Sequence, residues 1–143
     1  MIDLPAIELL PHRPPMLLVE GILEVDEENQ YILASARCSS HDLLYDSKLN
    51  GVQPMAAVEI QAQAIGLFCG YSDKLKGRKP ASMGKLLSIK HYKAHVPVLP
   101  IEAPLQVEAR GVLHTPPVGV FACKICCGEQ LLAESEITVL RED

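Results

Sequence analysis

The sequence predicts an α+β domain in which one antiparallel sheet wraps a long buried helix. Three observations carry that expectation. Residues 50–71 contain a stretch that is apolar nearly all round: Met55, Val58, Ala62, Ile65 and Cys69 fall on one side at helical spacing, and Ala56, Ile60, Ala64, Leu67 and Phe68 cover most of the rest. A helix with no broad polar face belongs in the centre of a domain. Two strand-like runs precede it and four follow, and a single sheet must then curl around the helix to bury it. Finally, 143 residues with 48% hydrophobic and 22% charged side chains make one globular domain, residues 1–143, with an aliphatic core, since Trp is absent and only two Phe occur.

Taken in order, Asp3 is expected to cap a short first helix with Pro5 near its start and Pro11 at its end. After the turn His12-Arg13-Pro14-Pro15, residues 16–25 read as a strand, 26–30 as a polar turn and 31–37 as the returning strand. An irregular segment, 38–52, leads into the long helix, where Pro54 suits an early position and Gly70 the end. Residues 72–80 then read as an exposed basic linker. Four strands are expected at 86–96, 103–113, 118–127 and 130–140, the second pointing Leu105, Val107, Ala109, Gly111 and Leu113 inward. Turns fall at His114-Thr115-Pro116-Pro117 and Gly128-Glu129. Small residues Ala57, Ala62, Ala64 and Gly66 allow a sheet to close tightly on the helix. The resulting β-β-α-β-β-β-β order is the hotdog architecture.

A net charge of −5 argues against generic nucleic-acid binding, which requires a basic footprint. Seven of the thirteen basic residues nevertheless lie between Lys74 and Lys93, a stretch without an acid, so one edge is expected to be locally positive. The first twelve residues contain an early acid and two prolines and resemble neither a signal peptide nor a membrane span, which predicts a cytoplasmic protein. Of the five cysteines, Cys123, Cys126 and Cys127 sit on a strand-like run that places Cys123 and Cys126 on opposite faces, so no metal site is expected.

The candidate for chemistry is Glu59, the acid within the apolar helix. Burying an ionised carboxylate is costly, so Glu59 should be paired, partly solvated through a cleft, or kept protonated, and the last two suit a general acid. The plainer alternative is a carboxylate that reaches a rim and bonds Gln63 one turn on. Free N–H groups in the helix's first turn, at Met55, Ala56 or Ala57, are expected to supply donors for negative charge that develops beside them.

Three segments together resemble the FabZ-like hotdog dehydratases of acyl-carrier-protein pathways, and within them the ApeP-like branch of aryl polyene biosynthesis. These are Leu10-Pro-His-Arg-Pro-Pro-Met-Leu-Leu-Val-Glu20, Val58-Glu-Ile-Gln-Ala-Gln-Ala64, and the Tyr- and His-bearing stretch from Gly84 to Val96 before Leu99-Pro100. The resemblance implies a cytoplasmic 3-hydroxyacyl-acyl-carrier-protein dehydratase (a lyase) that needs no cofactor, works as a homodimer or hotdog heterodimer, and has no membrane span. It makes Glu59 and a His the catalytic pair. FabZ proteins place that His fourteen residues before the helix Glu, where this chain has Tyr45, so His41 is carried over as the base with an assumed gap and Tyr45 as a substrate contact together with Met55, Ala56, Ala57 and Gln63. His12, in its Pro-rich turn, is expected to be structural. Pro54 stands where FabZ proteins have a glycine whose N–H binds the thioester carbonyl, and proline has no such donor. Lys74, Lys76, Arg78 and Lys79 are expected to dock the acidic carrier protein by salt-screened attraction. Two alternatives remain open on the same fold: a non-catalytic subunit that binds acyl chains or partners an active dehydratase, and an acyl thioesterase.

Overall fold

The computed structural model describes residues 2–78 and 85–141, apart from the His114 side chain. A long helix, α2 (Ala56–Leu75), lies against a six-stranded antiparallel sheet, ordered β1-β2-β6-β7-β8-β5. The strands are β1 (Val19–Asp26), β2 (Tyr31–Ala36), β5 (Lys85–Ala94), β6 (Leu105–Thr115), β7 (Val118–Cys127) and β8 (Gln130–Leu140). Two small elements complete the order: helix α1 (Ala6–Leu9) before β1, and a ribbon of β3 (Tyr45–Asp46) and β4 (Gly51–Val52) within the segment expected to be irregular. This is the hotdog arrangement expected from the hydrophobic pattern.

Burial explains why the helix holds. Ala57, Ile60, Ala64 and Leu67 are buried against the inner face of the sheet, where they meet Ile22, Ile32, Ile125 and Ile137. Each large aliphatic side chain buried in this way contributes about 1.5–3 kcal/mol. The alternating pattern of β2 and of β7 places every second residue in this core.

Several local expectations are corrected. Asp3 does not cap α1: Pro5 occupies the N-cap position and no side chain caps it. Gly70 does not end α2, which runs five residues further to Leu75 and buries Ser72 and Asp73, so the start of the supposed linker is helix. Gly70 serves packing instead. A Cβ there would lie 2.6 Å from the carbonyl oxygen of Leu9, so only glycine lets α1 lie this close. On β6, Leu105, Val107 and Ala109 are buried as expected, but a register shift between Gly111 and Leu113 turns the strand, and Leu113 is 55% exposed. The strand continues to Thr115, leaving only Pro116-Pro117 as the turn.

Cys38 and Cys123 are buried in the core, and burial pushes both thiols up to about 12. The thiolate is the reactive form, so mildly alkaline iodoacetamide should label Cys126 and Cys127 first and leave Cys38 and Cys123 unmodified until the chain unfolds. Peptide mapping by mass spectrometry checks the order, and early labelling of Cys38 in the folded protein would contradict this core.

Candidate active site

The site begins with the turn between α1 and β1. The Arg13 guanidinium donates to the carbonyls of Leu10 (3.1 Å) and His12 (2.7 Å), and the Met16 N–H donates to the Arg13 carbonyl (2.8 Å). Gln63, fully buried on α2, then acts as a substitute sheet neighbour. Its Oε1 accepts the Leu18 N–H at 2.8 Å, and its Nε2 donates to the Met16 carbonyl at 2.7 Å. This clamp lays the turn over the first part of α2 and brings His12 to Glu59, with Nε2 3.4 Å from Oε1. The second hydrogen of the Gln63 amide goes to the same Glu59 oxygen at 3.1 Å. Oε1 is thus engaged by two groups, and Oε2 has no protein partner among the described residues.

Glu59 stands on the wall of a cavity of about 500 Å³ lined mainly by apolar side chains, including Met16, Leu18, Leu44, Val52 and Ile60. Its side chain is 43% exposed, so of the states considered from sequence it is the one that is both paired and partly solvated. His12 is only 16% exposed, and its Nδ1 is buried without a partner among the described residues. Asp42 also lines the cavity, but its two oxygens accept the backbone N–H of Ser39 (2.9 Å) and the Ser39 hydroxyl (3.4 Å). Cys38 is protonated, with its thiol held at about 12. Of the two carboxylates lining the cavity, Glu59 alone keeps an oxygen without a protein partner among the described residues.

The other residues expected at the site are dispersed. His41 is exposed and does not line the cavity, because the Ser39–Asp42 turn points its neighbours Asp42 and Leu43 inward instead. Tyr45 is on β3 and donates its hydroxyl to Asn50 Oδ1 at 2.8 Å, across the ribbon and outside the cavity lining. Ala56 lines the cavity, whereas Ala57 is buried in the core. The first-turn N–H groups are not free as expected: Ala56 donates to Gln53 O (3.0 Å), Ala57 to Pro54 O (2.9 Å) and Val58 to Met55 O (3.3 Å). Met55, 61% exposed, keeps the N–H without a partner among the described residues. Pro54 O also receives the Tyr92 hydroxyl at 2.6 Å, tying edge strand β5 to the start of α2.

The expected docking cations are already paired. Lys74 meets Glu8 at 3.6 Å, Lys76 meets Glu27 at 3.5 Å and Arg78 meets Asp73 at 3.3 Å, while Lys79 lies outside the described residues. At about 1.5 Å per residue, Lys74 stands roughly 20 Å along α2 from Glu59. Among the described residues there is no group of three or more His, Cys, Asp or Glu arranged to hold a metal, and no helix long and apolar enough to cross a membrane.

The family model for the ApeP-like dehydratases (ApeP dehydratase) matches residues 4–143. The chain belongs to the ApeP-like dehydratase family. Its reaction class is dehydration, a lyase activity. Similar proteins include the 3-hydroxyacyl-[acyl-carrier-protein] dehydratase FabZ of Protochlamydia amoebophila, 30% identical over 137 residues, covering 92% of this chain and 83% of the relative. The FabZ of Chlamydia caviae is 29% identical, covering 92% and 86%. Among solved structures, a chain of the dehydratase heterocomplex ApeI:P from Xenorhabdus doucetiae superposes with a TM-score of 0.86 at 24% identity, covering 98% of this dehydratase and 92% of that chain. A hypothetical thioesterase with coenzyme A from Streptococcus pneumoniae shares the fold at a TM-score of 0.63 and 10% identity, covering 94% and 88%.

Sequence reasoning named Glu59 and His41 as the catalytic pair; within one chain the side chains that meet Glu59 are those of His12 and Gln63. The available signal was the pairing of Pro11-His12 with a Gln one helical turn after Glu59, two groups able to reach one carboxylate. Gln63→Leu removes the clamp and leaves the Leu18 N–H and Met16 carbonyl without it. Urea unfolding should show a loss of about 2–4 kcal/mol, with dehydration falling as well because His12 leaves Glu59. Unchanged stability would mean that the clamp does not hold the turn.

Proposed function

We propose that this dehydratase removes water from a 3-hydroxyacyl thioester carried on an acyl carrier protein, with Glu59 making the proton transfers. The observation that carries the reading is the asymmetric carboxylate: Oε1 is held by His12 and Gln63, and Oε2 is left for substrate at the wall of an apolar cavity suited to an acyl chain. Glu59 Oε2 takes a proton from C2, placing charge on the thioester oxygen. The positive end of α2 favours that charge. The C3–O bond then breaks as the same carboxyl returns its proton to the departing hydroxyl. Water and an enoyl thioester leave, and the carboxylate is restored. His12 orients Glu59, a role the sequence had reserved for structure alone. The two-group scheme with His41 as base requires that His to arrive from another chain.

A second hotdog subunit is part of the proposal. Among the described residues strand β5 pairs in the sheet only with β8, which makes it an edge strand, and Leu86, Leu87 and Ile89 are exposed on it. An apolar edge strand is suited to pairing with another sheet. The FabZ relatives, whose names specify acyl-carrier-protein substrates, support the substrate class.

Glu59→Gln should retain the fold and lose about 10²–10⁴ in the rate of enoyl formation from a 3-hydroxyacyl-acyl-carrier-protein, followed by mass spectrometry. His12→Ala should slow the reaction while His41→Ala leaves it unchanged. Equal rates for Glu59→Gln and the unaltered protein would remove Glu59 from the mechanism. A dead His41→Ala beside an active His12→Ala would restore the two-group scheme.

A further inference from the structure

The basic stretch that the site did not absorb leads to a second cavity. It has a volume of about 380 Å³ and opens between the C-terminal half of α2, the turn after β1, the Pro116-Pro117 turn and the end of β8. At about 1.5 Å per residue, its helix residues stand roughly 13–25 Å from Glu59, so it is separate from the catalytic cavity. Its floor is apolar: Phe68 and Phe121 meet edge to face at 6.1 Å between ring centroids, beside Val139.

The rim is cationic. Arg78 and Arg141 both line the cavity, and both bond the carboxylate of Asp73, whose side chain is 4% exposed: Arg78 reaches Oδ1 and Arg141 reaches Oδ2. Two guanidiniums thus share one carboxylate. Lys76 is neutralised separately by Glu27, which also accepts the Ser72 hydroxyl at 2.7 Å. Among the described residues at the mouth, Arg78, Arg141 and Lys76 face two carboxylates, those of Asp73 and Glu27, and each guanidinium presents five N–H donors in a planar fork. A guanidinium of this kind matches a carboxylate with paired hydrogen bonds.

We propose that this cavity binds a small organic carboxylate, with its anionic head on Arg78 and Arg141 and a flat or short apolar body on Phe68, Phe121 and Val139. The aromatic floor demands an apolar body, which inorganic phosphate lacks. Half of the basic segment expected to dock a protein therefore faces a small molecule.

Benzoate is the probe, titrated into the ¹⁵N-labelled full chain and followed by amide shifts. Saturable shifts should be confined to residues 68–78 and 118–121, with benzyl alcohol and inorganic phosphate much weaker. Arg78→Gln, at an exposed side chain that leaves the Arg141–Asp73 pair in place, should raise the dissociation constant about tenfold or more. Val139→Phe, which fills the floor without touching a charge, should abolish binding, with the folded state of each variant read from the same spectra. The proposal is overturned by an absence of saturable shifts up to millimolar benzoate, by equal affinity in Arg78→Gln, or by equal binding of benzyl alcohol or phosphate. Binding that emerges only when Glu142 and Asp143 are neutralised makes the chain's own acidic end the occupant and overturns it too.

Discussion

The site rests on one buried amide. Gln63 has no access to water, and such a group is costly inside a core unless its hydrogen bonds are satisfied. It meets that requirement with three bonds, two to the backbone entering β1 and one to Glu59. The same bonds fix the path of the chain and orient the carboxylate, so stability and chemistry depend on one side chain. Satisfying both backbone groups also settles the orientation of the amide, since only one assignment of its oxygen and nitrogen fits a donor at Leu18 and an acceptor at Met16.

Gln61 offers a useful contrast. It too is fully buried, and its Oε1 accepts the Ser135 hydroxyl from β8, yet its Nε2 has no partner among the described residues. The helix therefore carries two amides that face different elements two residues apart, one complete in its bonding and one not. The complete one adjoins the site. That placement fits the role proposed for Glu59, since a carboxylate that transfers protons needs a well-determined position.

The fold was legible because its signals are repetitive. Apolar spacing around α2 is repeated over many residues, and the alternation of Leu105, Val107 and Ala109 on β6 holds up to the register shift, so a single misread position does not change the outcome. The errors fall where one contact decides. Gly70 reads as a helix end, but its purpose is the approach of Leu9, a residue sixty-one positions away in the chain. Glu59 could be found from the cost of placing an acid in an apolar helix, whereas its partner could not, because proximity of His12 depends on a backbone clamp that no local spacing encodes. Likewise the basic run looks like a free patch until the fold brings Glu8, Glu27 and Asp73 to its side chains.

The bond from the Tyr92 hydroxyl to the Pro54 carbonyl spans from an edge strand to the threshold of α2. It is a strut between an outer boundary of the molecule and the peptide that follows it, Pro54–Met55, where the unengaged N–H resides. The bulged geometry of β5 around His91, whose φ is 56°, sets where that hydroxyl stands. A twist of this edge is therefore passed through a single hydroxyl to the first peptide of the long helix, so the outermost strand and the innermost element are not independent of each other.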